Sequence, residues 1–183
     1  MIMKRFIKIT ALIIGALALT IAILEISSSY KVTRTIHKDA PVITRLQIDI
    51  NAPVETVWKI FSDVDNWSKW QKEIPESKIN GPFKAGSSFD WKTHGLTIHS
   101  TFHVVDMNKE AGWSGPAFGS FAIHNWYFIK QGDHTLVKVE ESMEGWLVWS
   151  LKDRFQSVNR GSLLYWLNAL KTASEKENTQ FSR

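Results

Sequence analysis

The chain has 183 residues, 44% of them hydrophobic and 22% charged, which fits one domain of ordinary size with an appendage and excludes global disorder. It contains no cysteine, so disulfides, thiol catalysis, zinc–thiolate and iron–sulfur sites and a lipoprotein anchor are excluded. Lys4, Arg5 and Lys8 against Glu25 place half of the net charge of +4 in the first 25 residues; the remaining 19 basic and 17 acidic residues nearly balance, and nucleic acid is not an expected partner.

The first element is an uncharged run from Ile9 to Leu24 behind three basic residues. As a helix, these 16 residues span about 24 Å, and Phe6, Ile7 and Ile26 lengthen the run towards the roughly 30 Å of a bilayer core. The run has no polar face, so residues 1–26 read as a signal anchor or a signal peptide, with membrane contact through residues 9–24. The exit, EISSSY, offers no Ala-x-Ala site, which favours the uncleaved anchor; the alternative is secretion after cleavage. Four positive groups before the run, counting the amino terminus, face Lys31, Arg34 and Lys38 after it. This slight excess predicts a single span with the N-terminus inside and the domain exported. Residues 27–42 are polar and aperiodic and read as a solvated linker.

From Ile43 to Ile50 the residues alternate as a strand. Asn51-Ala52-Pro53 ends it, with Asn51 as a candidate cap and Pro53 suited to a first helical turn. Val54, Val57, Trp58 and Phe61 follow at helical spacing, which marks Trp58 as a core residue. SDVDNW opens a second short helix with Asp65 as its expected cap. Five strand-like runs then fill about sixty residues: SSFDWKT, LTIHSTFHVV, GWSGPA, FAIHNWYFI and TLVKVEESM. The last segment predicts one long helix, with Leu147, Leu151, Phe155, Val158, Ser162, Tyr165, Trp166, Ala169 and Ala173 on its inward stripe. Residues 178–183 are a polar tail. The layout is α+β: a strand, two short helices, an antiparallel meander and a long helix about which a sheet can curl.

The stretch IDINAPVETVWKIFSDVDNWSKW, with Ala52, Pro53, Val57, Trp58, Asp63, Trp67 and Trp70 at their spacings, resembles the SRPBCC superfamily, the START-like, polyketide cyclase/dehydrase and lipid-transport group. The meander GLTIHSTFHVVDMNKEAGWSG and the closing LNALKTASEKE are similar to that family as well. The resemblance covers residues 43–177 and implies a helix-grip fold, a curved antiparallel sheet wrapped around the C-terminal helix with a cavity between them. It does not specify function, because one fold hosts many. The N-terminal apolar run lies outside the family pattern.

Candidate chemistry is sparse. His99 and His103 share a strand face but lie about 13 Å apart, too far for one metal, so no metal and no cofactor is expected. GPFKAG lacks the Lys-Ser/Thr of a phosphate loop, and Ser114 lacks the glycine two residues before it that a nucleophile elbow requires. The hairpin HNWYFIKQGDHTLVKVEE is informative. A two-residue turn at Gly132-Asp133 sets Phe128 opposite Val137, Trp126 opposite Val139 and His124 opposite Glu141 on one inward face. His124 and Glu141 are then either a structural pair at the sheet's rim or the polar end of a ligand cavity. The expected ligand-binding set is His124, Trp126, Phe128, Val137, Val139 and Glu141, with Trp91 and Trp113; Trp146 and Trp149 remain ambiguous, while Trp58, Trp67 and Trp166 read as packing residues. The expected function is membrane-tethered binding of a hydrophobic small molecule of the lipid, isoprenoid or quinone class. The alternatives are a polyketide cyclase/dehydrase-like enzyme using His124 and Glu141, or an interaction module without ligand.

Overall fold

The computed structural model describes residues 2–181 and divides into two units, Met1–Lys31 and Val32–Arg183. The first holds α1 (Ile2–Ser27), a helix long and apolar enough to cross a membrane by length and composition. A signal sequence meets the same test.

The second unit is a seven-stranded antiparallel sheet with helices on its inner face. Its strands are β1 (Val42–Ile50), β2 (Ser77–Asn80), β3 (Ser88–Thr93), β4 (Leu96–Asp106), β5 (Glu110–Ala117), β6 (Ser120–Gln131) and β7 (His134–Glu144), in spatial order β1-β7-β6-β5-β4-β3-β2. α2 (Val54–Ser62) and a 3-10 turn over Val64–Lys69 follow β1; a short α3 (Trp146–Ser150) precedes α4 (Lys152–Phe181). This is the α+β helix-grip arrangement, a curved sheet around a long C-terminal helix. The meander explains it: each β4 to β7 connection is short, so successive strands pair as antiparallel neighbours.

The β6–β7 register agrees with the hairpin count. Gln131 pairs with His134 across Gly132-Asp133, and Phe128–Val137, Trp126–Val139 and His124–Glu141 stand opposite one another. Gly132 has φ +66°, a conformation that a two-residue hairpin turn needs and that glycine adopts without steric penalty.

Several local expectations are corrected. Pro53, not Asn51, is the N-cap of α2; the Asn51 amide instead donates to the Glu175 carboxylate on α4 (2.8 Å). Asp65 does not cap the second short helix, for which Asp63 is the N-cap. It accepts the Ile79 amide (2.8 Å) and pairs with Lys78, pinning β2, a strand the sequence reading did not find. The long helix breaks at Leu151, and the buried stripe of α4 is Leu163, Trp166, Leu167, Leu170 and Ser174, one residue out of phase with the expected stripe at most positions. Residues 178–181 continue α4 rather than forming a separate tail.

Residues 32–41, read as part of a solvated linker, lie against the outer face of the sheet. Ile36 is buried, the Asn125 amide donates to the Arg34 carbonyl (2.9 Å), and the His37 amide donates to Ser142 Oγ (3.1 Å). His37 also pairs with Glu144 (2.8 Å), and Arg34 with Glu110. These polar residues are held by side-chain hydrogen bonds and one buried isoleucine, a pattern without periodicity.

The core lies under α2. Phe61 of α2 packs on Trp67, Trp113, Trp126 and Phe128, with ring centroids 4.9–6.2 Å apart. Trp58 meets Phe83 and Phe128 edge-on, a favoured aromatic geometry. The Trp67 indole N–H donates to the Phe61 carbonyl (2.7 Å), satisfying a polar atom inside this cluster.

Candidate functional site

Beyond this packed region, between the other end of the sheet's inner face and the first half of α4, lies a cavity of about 240 Å³. β3 supplies Trp91, β5 Trp113, β6 His124, β7 Glu141 and Met143, and α4 Phe155, Asn159 and Trp166. Leu96 and Val158 also line it and are 51% and 49% exposed, so they mark where it meets solvent. Trp166 forms the floor: its ring touches those of Trp67 and Trp126 on the core side and of Trp91 and Trp113 on the cavity side. Sequence reasoning assigned Trp166 to packing alone. Its position at the buried edge of α4 gives it both roles.

The expected set therefore separates into two groups. His124, Glu141, Trp91 and Trp113 line the cavity. Trp126, Phe128, Val137 and Val139 face inward as the register requires, but they are buried in the aromatic core beneath α2 and do not line the cavity. Phe61 and Trp58 fill the space in front of them. Trp146 and Trp149 are not lining residues either, and Trp149 is 62% exposed.

The polar end of the cavity is His124 with Glu141. Nε2 of His124 lies 2.9 Å from Oε1 of Glu141, and the two side chains are 10% and 4% exposed. An isolated carboxylate at this depth is strongly disfavoured, and the imidazole supplies a partner at hydrogen-bonding distance. Trp113 stacks on the imidazole, with centroids 5.0 Å apart and planes 11° apart. The stack fixes the ring plane, and the carboxylate at Nε2 fixes the tautomer of a neutral imidazole with its proton on Nε2. Nδ1 is then an acceptor, and it is buried with no partner among the described residues. Asn159 Oδ1, from α4, is likewise buried and unpartnered. Such atoms each cost about 1–3 kcal/mol if nothing pairs them. The Trp113 indole N–H is also buried without a partner among the described residues, whereas that of Trp91 donates to Ser100 Oγ (3.0 Å).

The remaining histidines are elsewhere. His99 pairs with Asp90 (2.7 Å) in exposed surroundings, and His103 bonds to Asn125 (2.8 Å) on the outer face. Burial lowers the His103 pKa below its ordinary value, more than the Asn125 bond raises it. Among the described residues no group of three or more His, Cys, Asp or Glu side chains is placed to hold a metal ion.

An apolar, aromatic-walled cavity with one buried acid–imidazole couple can enclose an apolar molecule and orient its polar end. Solved structures share the fold, among them the following three. A hypothetical protein of Helicobacter pylori superposes with a TM-score of 0.68 at 16% identity, over 80% of this chain and 99% of that one. An aromatase/cyclase of a Streptomyces species gives 0.64 at 12% identity, over 73% and 93%. A START superfamily protein of Mycobacterium smegmatis gives 0.55 at 17% identity, over 76% and 98%. No curated protein sequence matches the chain. Residues 31–175, which take in residues 32–41 (the strap on the outer face) and most of α4, match the family described as polyketide cyclase / dehydrase and lipid transport, and the chain belongs to that family of ligand-binding and cyclase-like domains.

Proposed function

We propose that this chain binds a hydrophobic small molecule of the lipid, isoprenoid or quinone class in the cavity between the sheet and α4, beside a membrane in which α1 is retained as a single span. The observation that carries the reading is the cavity itself: about 240 Å³ walled by Trp91, Trp113 and Trp166, with His124 and Glu141 as its polar end. Space of that size argues against an interaction module whose interior is filled by side chains. α1 supports the tether, since an apolar ligand partitions into the bilayer beside the protein. His124, Glu141, Trp91 and Trp113 are the ligand-contacting residues in this reading; Trp126, Phe128, Val137 and Val139 stiffen the wall behind them.

The test is recovery. Full-length chain extracted in mild detergent from its own host is expected to carry one apolar small molecule per chain by native mass spectrometry, and His124→Ala to reduce its occupancy. Empty protein from every growth condition, with no apolar compound bound on addition, overturns the reading. N-terminal sequencing of the same preparation is expected to begin at residue 1 or 2; a start near Tyr30 removes the tether and makes the product secreted.

One observation favours a second reading, a cyclase-like enzyme. The His124–Glu141 couple has the separation an acid/base pair needs, and a similar fold carries an aromatase/cyclase. Turnover of a bound aromatic precursor that is lost in His124→Ala while binding persists would select this reading over simple carriage.

A further inference from the structure

We infer that the ligand of this cavity is compact and non-anionic, with a polar end that donates a hydrogen bond, a hydroxyl or an ammonium group. The inference rests on the cavity being a ligand site and names which chemistry that site accepts.

Size sets the first limit. A cavity of about 150 Å³ holds a benzene ring, so about 240 Å³ takes roughly two fused rings or a short isoprenoid unit. A lipid with two acyl chains does not fit inside.

Charge sets the second. Among the described residues no Lys or Arg lines the cavity. Its one buried ionisable pair, His124 and Glu141, carries a net charge of zero or minus one in every protonation state except the doubly protonated one. His94 also lines the rim, but it is exposed and hydrogen-bonds to the Thr93 hydroxyl (3.0 Å), so solvent screens it. A carboxylate or phosphate entering the cavity loses its hydration and finds no cation to replace it.

Hydrogen-bond polarity sets the third. With Nε2–H directed at Glu141, the neutral imidazole offers only an acceptor at Nδ1, and Asn159 offers Oδ1; both are buried and unpartnered among the described residues. The Glu141 carboxylate is itself acceptor-only when ionised. The hydroxyls of Thr93, Ser100 and Ser120 on the walls both donate and accept, and do not discriminate. The Trp113 indole N–H, also on the wall, is a buried and unpartnered donor among the described residues; the two acceptors outnumber it, and a ligand hydroxyl or ammonium supplies the donor they lack.

The experiment is equilibrium dialysis of full-length chain in lipid nanodiscs, with empty nanodiscs correcting for partition, near neutral pH. Four radiolabelled probes share one ring system: naphthalene, 2-naphthol, 2-naphthylmethylamine and 2-naphthoate. The alcohol or the amine is expected to bind about tenfold or more tighter than the carboxylate, with naphthalene between. Glu141→Gln is expected to raise naphthoate affinity and narrow that gap. Asn159→Leu, which leaves the His124–Glu141 pair in place, is expected to shrink the lead of the alcohol over naphthalene about fivefold. Naphthoate binding as tightly as naphthol, or a gap unchanged in Glu141→Gln, overturns the assignment of the polar end. Equal affinity for all four probes overturns it too and leaves the cavity as a ligand site; no binding of any probe overturns the cavity reading itself.

Discussion

Nε2 of His124 stands 2.9 Å from Oε1 of Glu141 across the β6–β7 pairing, and Trp113 of β5 covers the imidazole face. The contact joins two adjacent strands to the third at the polar end of the cavity. Two variants separate its structural from its functional value. His124→Phe keeps a ring against Trp113 but leaves the Glu141 carboxylate buried and unpaired, and is expected to destabilise the chain by about 3–5 kcal/mol. The double variant His124→Phe/Glu141→Leu removes both polar partners and is expected to be neutral or more stable by about 1–4 kcal/mol, while losing selection of the ligand's polar end. Urea denaturation of both decides it; a single variant as stable as the parent shows that the pair is not coupled.

Trp58 is buried on α2 with its ring edge-on to Phe83 and Phe128. Trp58→Ala is expected to cost about 3–5 kcal/mol, because the surrounding strands cannot collapse into the space of an indole. A thermal midpoint within a few degrees of the parent's would show that α2 does not anchor the core.

Two glycines make opposite predictions from the same substitution. A Cβ on Gly112 of β5 would clash with Asn125 Oδ1 and His103 Nε2 and come within 2.9 Å of Val104 Cγ1. Gly112→Ala is expected to destabilise by about 1–3 kcal/mol and to speed amide exchange at residues 34–37, because Asn125 holds the strap there. Gly161 of α4 has nothing within 4 Å of a Cβ. Gly161→Ala is expected to stabilise by about 0.5–1 kcal/mol through helix propensity alone. Exchange at residues 34–37 that is unchanged in Gly112→Ala would separate Asn125 from the strap.

The parts of this fold legible in the sequence are those fixed by local rules. A two-residue turn at Gly132-Asp133 and a period of two determine every β6–β7 pair from Gln131–His134 back to His124–Glu141. Which inward residues face a cavity and which are packed solid is not local. Trp126 and His124 are two residues apart on one face, yet Phe61 of α2 covers the first and nothing fills the space before the second. The phase of α4 was hidden for a similar reason. Leu163, Leu164, Tyr165, Trp166 and Leu167 are consecutive, so apolar residues encircle the helix and periodicity cannot choose a face. β2 was missed because Ile79 is the one apolar residue in its four. The strap was missed because its contacts are hydrogen bonds to residues far along the chain, such as Arg34 to Asn125.

The last prediction concerns pH. Asn125 donates to the Arg34 carbonyl through Nδ2 and so presents Oδ1 to His103, which must carry its proton on Nε2. Nδ1 is then buried without a partner among the described residues. Burial is the largest influence and lowers the His103 pKa from 6.5; the Asn125 bond and the Glu110 charge act upward, and the Arg34 charge downward. A histidine whose folded pKa lies below its unfolded one favours folding when neutral. Its contribution is present in full above the unfolded value and is lost as pH falls through about 6.5 towards the lower folded value, where the unfolded chain binds more protons. The urea midpoint is therefore expected to fall between about pH 7 and pH 5, and His103→Gln, which can still donate to Asn125, is expected to flatten that fall. Midpoints that drop in parallel for parent and variant would place the acid sensitivity on other groups and remove His103 from the account.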